Sequence, residues 1–202
     1  MLYLRQRALK HLERVYPFTL ADFDMRDEQS TFTDINPAFF ITIARELDLL
    51  WLLPAMLYKT CSRPFLEIVS GFEWNGKLIQ IAPVDRDACL CAIMDLTRRW
   101  SDVVLGFLKQ EKIWGCESQE ECMQTRFIYL GDHCFSAVDP LRTKFDIQFD
   151  DYDDSVCSRC AEEAKEDYST EREKLWDDLP KLYFGLPPWE QLMEMRREAF
   201  KA

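Results

Sequence analysis

The chain has 202 residues, of which 48% are hydrophobic and 30% charged, with 6 Gly and 9 Pro. That suits one domain, or a domain with an appendage, and excludes a disordered chain, a collagen and a disulfide-held miniprotein. The net charge is −11, but 13 acidic and 4 basic residues fall between Asp146 and Asp178, leaving 23 against 21 elsewhere; no cationic footprint for nucleic acid exists.

Residues 2–16 read as an amphipathic helix, with Leu4, Ala8, Leu12 and Val15/Tyr16 on one stripe and Pro17 ending it. Residues 18–35 read as an irregular crossover. Asn36 and Pro37 open the next helix as cap and first residue, and Phe39, Phe40, Ile43, Ala44 and Leu47 form its stripe. After a break at Asp48–Trp51, a short apolar helix covers Leu52–Cys61, with Pro54 in its first turn. A further short helix is expected over Pro64–Ser70. Phe72–Ile81 with Asn75-Gly76 at its centre is a β-hairpin, because Asn-Gly accepts the positive φ angles of a type I′ turn.

The longest helix is expected over Asp85–Lys112, with Cys89, Ile93, Leu96, Trp100, Val103/Val104 and Phe107/Leu108 at 3.6-residue spacing. Ser118 and Glu121 make a capping box for a helix over Ser118–Tyr129. Pro140–Phe145 suggests a helical turn, and Gln148–Asp154 a polar linker into a long charged helix over Ser155–Asp178. Pro180, Gly185, Pro187 and Pro188 break the chain before a terminal helix over Trp189–Phe200. The class is mainly α with one small hairpin. Two parts are expected: a helical body over residues 1–147, and an acidic linker, long helix and Pro/Trp clamp over 148–202. The expected core includes Trp51, Leu53, Leu57, Tyr58, Leu90, Ile93, Trp100 and Val104.

Met1 is followed by a mixed segment rather than a signal sequence, and the apolar stretch near Leu49–Leu57 is too short for a bilayer. The expectation is an intracellular protein, in cytoplasm or nucleus, with its 8 Cys reduced and no membrane partner.

The strongest chemical signal is Cys157-Ser158-Arg159-Cys160. Two thiolates at this spacing converge on one side of a turn, as a structural zinc requires. One pair supplies two of four ligands; Cys116 and Cys122 are the best second pair, with His133 and Cys134 in reserve. The opposing reading is thiols packed as small hydrophobes, and a redox C-x-x-C lacks its usual βαβ setting. Cys89 and Cys91, at i and i+2 of a helix, face different ways and suit packing.

Enzymatic signals are absent. With only His11 and His133, a nucleophile–base–orienter set is poorly supported, and no P-loop, G-x-S-x-G, G-x-G-x-x-G or H-E-x-x-H occurs. A calcium loop from Asp150 fails at Ser155 and Ala161, where Gly and Glu are required. The acidic stretch reads as a solvated helix face or as a docking surface for a basic partner. The aromatic and Pro-rich run Trp176–Trp189 reads as a clamp burying Trp176, Phe184 and Trp189, or as a polyproline ligand.

One set of motifs runs through nearly the whole chain, from about residue 4 to 192. It comprises His11-Leu12-Glu13-x-x-Tyr16-Pro17, Ile43–Leu47, Trp51–Tyr58 with Cys61, Cys157-x-x-Cys160, Arg172, Leu175-Trp176-x-x-Leu179-Pro180, and Phe184–Trp189 with Leu192. In order and spacing it resembles the region after the BTB/POZ domain in the basidiomycete family of BTB domain-containing proteins. The resemblance implies a helical extension that shapes a surface for a protein partner, and it brings no catalytic residues. The BTB domain itself, which carries dimerisation and cullin binding in BTB proteins, is absent or reduced to residues 2–16, so neither property is carried over. The expected function is a non-enzymatic protein–protein interaction module. The alternatives are a zinc-stabilised scaffold and a small thiol- or histidine-dependent enzyme.

Overall fold

The computed structural model describes residues 2–27, 37–103, 106–133, 141, 152 and 154–201. The protein is mainly α. Among those residues the helices are α1 (Leu2–Val15), α2 (Leu20–Asp27), α3 (Ala38–Glu46), α4 (Leu53–Cys61), α5 (Phe65–Ser70), α6 (Pro83–Val103), α7 (Gln119–His133), α8 (Ser158–Asp178) and α9 (Trp189–Lys201). Strands β1 (Phe72–Trp74) and β2 (Lys77–Ile79) pair antiparallel, Phe72 with Ile79 and Trp74 with Lys77. Asn75 and Gly76 sit between them at φ 49° and 71°, the type I′ geometry expected for Asn-Gly. No helix among the described residues is long and apolar enough to cross a membrane.

The chain divides into two compact units, residues 1–94 with 177–202, and residues 95–176. The boundary expected at 147/148 is not where the division falls. It lies inside α6 and again at the end of α8, because residues 177–202 pack in the first unit.

In the first unit the core is the apolar run through the 3₁₀ turn Leu50–Leu52 into α4: Trp51, Leu52, Leu53, Met56 and Leu57 are buried, with Tyr58. Asp48 at φ 53° reverses the chain after α3, and Pro54 occupies the first turn of α4, where no backbone N–H is needed. Glu13 on α1 accepts from Trp51 Nε1 at 3.1 Å and from Arg196 Nε on α9 at 2.7 Å, which ties the last helix to the first. Of the clamp residues, Trp176 and Phe184 are buried and Trp189 is half-buried.

Several local expectations are corrected. Residues 20–27 form α2 rather than irregular chain, because Thr19 caps it: its Oγ1 accepts from the Asp22 N–H at 3.1 Å and donates to the Asp22 carboxylate at 2.6 Å. Helix α6 starts at Pro83 and does not reach Lys112; Phe107–Lys109 is a 3₁₀ turn opened by Gly106, and Gln110 is extended. Glycine is a poor helix former, and the turn lets Phe107 and Leu108 be buried together. Helix α8 starts at Ser158. It continues past Pro180 as a π-helical stretch over Leu179–Tyr183, which closes with Gly185 at φ 60° and the Leu186 N–H donating to the Pro180 carbonyl at 2.8 Å.

The buried stripe of α6 keeps Cys89 and Leu96 of the expected one but runs through Asp85 and Ala92 as well. Asp85, Cys89, Ala92 and Leu96 are buried, whereas Leu90 and Ile93 are half-buried. The pattern misled because a charged residue heads the stripe: Asp85 is fully buried and accepts a bidentate interaction from Arg45. Asn36, Cys134 and Val104 lie outside the described residues, as do the 140–145 turn (Leu141 excepted), most of the 148–154 linker and the Trp100 side chain.

Arg45 is about a third exposed while Asp85 is not exposed, so the two truncations differ. Arg45→Ala strands a buried carboxylate and should cost about 3–5 kcal/mol. Asp85→Ala leaves a cation that water can reach and should cost clearly less. Urea unfolding of both variants measures the difference; equal losses would contradict this account.

Candidate metal centre

The second unit has two apolar clusters. One gathers Phe107, Leu108, Tyr152, Ala164 and Tyr168, with Tyr152 ringed edge-on by Phe107 at 5.6 Å and Tyr129 at 5.2 Å. The other is built largely of sulfur: Ile113, Cys122 and Cys160 are buried, and Cys116, Val156 and Cys157 pack against them.

Two stretches supply the sulfurs. Gly115, at φ 81°, turns the loop so that Cys116 faces inward, and Cys122 follows in the first turn of α7. That loop is held at both sides: Gln119 Nε2 donates to the Ile113 carbonyl at 2.9 Å, and Arg159 Nε to the Trp114 carbonyl at 3.4 Å. Cys157 precedes α8 and accepts its first intrahelical bonds, its carbonyl receiving the N–H groups of Cys160 at 2.9 Å and Ala161 at 3.1 Å; Cys160 lies one turn in. The sulfurs therefore lie at the N-terminal ends of two long helices, where the aligned peptide dipoles favour negative charge.

The four predicted residues come together: the Sγ atoms of Cys116, Cys122, Cys157 and Cys160 all lie within 4.8 Å of one another. Cys116 Sγ is 3.5 Å from Cys160 Sγ and 3.7 Å from Cys157 Sγ, and the Cys157 N–H donates to Cys122 Sγ at 3.3 Å. All four are free thiols. A tetrahedral ion with metal–sulfur bonds near ~2.3 Å needs sulfurs roughly 3.8 Å apart. The cluster meets that with small closing movements. Among the described residues, His11, Cys89 and Cys91 do not join it. Cys134 and the side chain of His133 are outside what is described, His11 is exposed on α1, and Cys89 is buried where Cys91 is exposed, as their i, i+2 spacing implies.

The thiols are not equivalent. Burial pushes Cys160 up, reinforced by its thiol neighbours Cys116 and Cys157, and burial also raises Cys122 against the lowering effect of the Cys157 amide. At Cys157 burial again opposes ionisation, but the backbone N–H groups of Glu117 and Cys160 and the neighbouring thiols outweigh it and bring the group down to about 6. Arg126, on α7 one turn beyond Cys122, was not anticipated. It is buried, and its Nη1 donates to Cys160 Sγ at 3.5 Å. The i, i+4 spacing of Cys122 and Arg126 was the available signal, since it places both on one helix face.

No family model, no curated protein and no solved structure matches the chain.

Because Cys157 lies below the usual thiol value of 9.0, its thiolate should predominate at pH 7 in metal-free protein. Alkylation by iodoacetamide, followed by peptide mass mapping, should modify Cys157 first, with a rate that rises through a midpoint near the about 6 given by its surroundings. Cys160, fully buried and shifted up, should be the slowest of the four. The reverse order would contradict the assigned surroundings.

Proposed function

We propose that the chain is a non-enzymatic, zinc-stabilised helical scaffold that presents a surface to a protein partner. One observation carries the metal: four thiols from two distant stretches lie within 4.8 Å of one another. Four thiolates would close a tetrahedral shell and leave no position for substrate or activated water, which favours a structural over a catalytic role. Four sulfurs select zinc or another thiophilic ion over magnesium or calcium. The same arrangement disfavours simple packing, because backbone N–H groups, two helix N-termini and a guanidinium converge on sulfurs that hydrophobic packing would leave neutral.

The interaction reading rests on a different observation. Trp114 is 93% exposed on the loop that ends at Cys116. A loop fixed by a metal can hold an aromatic side chain in water at little further ordering cost, and Trp is enriched among binding hot spots. The resemblance to the region after a BTB domain agrees with such a role. It rests on the order of motifs alone.

Protein purified without a metal-binding tag should carry one zinc per chain by elemental analysis, and Cys116→Ser or Cys160→Ser should lose it. Structural zinc sites contribute about 10–16 kcal/mol in small domains, comparable with the entire stability of a fold. Chelation should therefore abolish amide-exchange protection in residues 95–176 before it affects residues 1–94 and 177–202. Zinc content near zero in freshly purified protein, with unchanged exchange on chelation, would refute the metal. For the partner, affinity capture from the native host with Trp114→Ala as the comparison should lose a specific protein.

A further inference from the structure

Arg126 is the most fully buried cation among the described residues, with 1% of its surface exposed against 7% for Arg172. A guanidinium stays protonated inside a protein, so its burial requires a partner of opposite charge or a heavy desolvation cost. Its partners are the Cys160 sulfur at 3.5 Å and the Glu111 carbonyl at 3.5 Å, and its Nε has no hydrogen-bond partner among the described residues. No carboxylate pairs with it among the described residues. Two half-buried arginines differ in this respect: Arg45 pairs with Asp85 and Arg196 with Glu13.

We infer that Arg126 is the counter-charge of the sulfur centre, a positioning residue that favours the anionic, metal-loaded state through its N–H···S contact with Cys160. The inference rests on the metal reading above. A dication that displaces four thiol protons to solvent leaves a centre of charge −2. A fixed cation in hydrogen-bond contact with one of its sulfurs stabilises that charge in a low-dielectric interior, where the attraction is weakly screened. A Cys160 sulfur that still carries its proton would offer Arg126 no such charge. Metal binding and the burial of this side chain are thereby linked: each makes the other more favourable. The N–H···S bond also draws charge from the Cys160 sulfur, making it a weaker electron donor to the metal.

The test uses the full chain and compares wild type, Arg126→Met and Arg126→Lys. Zinc affinity is read by competition with a chromophoric chelator, and the cobalt(II)-loaded proteins are read by absorption. Loss of an outer partner of a metal ligand costs about 10- to 100-fold in affinity, and Arg126→Met should fall in that range while Arg126→Lys recovers most of it. The sulfur-to-cobalt charge-transfer band of Arg126→Met should move to longer wavelength, because an unbonded thiolate is the better donor; a packing role would not move it. Arg126→Met with wild-type affinity and an unmoved band overturns the inference and leaves the metal reading standing. Wild-type protein that binds neither zinc nor cobalt overturns the metal reading itself. If Arg126→Met does not fold even with metal, Arg126→Lys decides: folding and metal binding restored by Lys support the charge pairing, since Met is the better apolar filler. Failure of Lys as well assigns the position to guanidinium packing and overturns the inference.

Discussion

The approach of Cys116, Cys122, Cys157 and Cys160 joins stretches of the second unit that lie 35 and 41 residues apart, and the arrangement of that unit depends on what keeps the four sulfurs together. Thiols alone are modest glue. Each behaves as a small hydrophobe with a weak S–H donor, and among the described residues this cluster has Ile113 and Val156 as its aliphatic neighbours. The unit spans about 80 residues, a size at which a single core supplies only a few kcal/mol. A bond network through one ion would replace the apolar area that the sequence does not provide there.

The first unit solves the same problem by other means. Its core is a dense aliphatic and aromatic run around α4, and its buried charges are paired with opposite charges: Asp85 with Arg45, and Glu13 with Arg196 while also accepting from Trp51. Those pairs connect elements distant in sequence and need no metal. Arg126, in the second unit, has no carboxylate partner among the described residues and contacts the Cys160 sulfur instead.

Much of this was legible in the sequence because the governing signals are local. Asn75-Gly76 dictates its turn, Pro17 and Pro54 place helix ends, and C-x2-C at Cys157–Cys160 points to convergent sulfurs whatever surrounds it. The errors arose where local rules competed with packing. The Thr19–Asp22 cap went unread because its helix is only eight residues long and weakly apolar. Part of the face of α6 was misread, because Asp85 is acceptable inside only once Arg45, forty residues away, is known to reach it. Extending α6 to Lys112 treated Phe107 and Leu108 as a continuing stripe, whereas they are buried from a separate 3₁₀ turn. Arg126 was passed over for a related reason. Arg on an exposed helix face and Arg pressed against sulfur look alike until the partner of the helix is known.

The electrostatics of the centre can be followed to a balance. A dication held by four thiolates leaves two negative charges in a water-poor interior, which is costly if nothing offsets them. Arg126 offsets one. The N-terminal ends of α7 and α8, each equivalent to roughly half a positive charge, face the sulfurs that begin those helices and offset much of the other. A loaded centre would then be close to neutral within its own surroundings. Without the metal, a single thiolate at Cys157 offsets only part of the positive charge that the same surroundings supply. On the proposed reading the protein environment would match a doubly anionic centre better than protonated thiols, and Arg126, placed one helical turn from Cys122, is the element of that match a single substitution can remove.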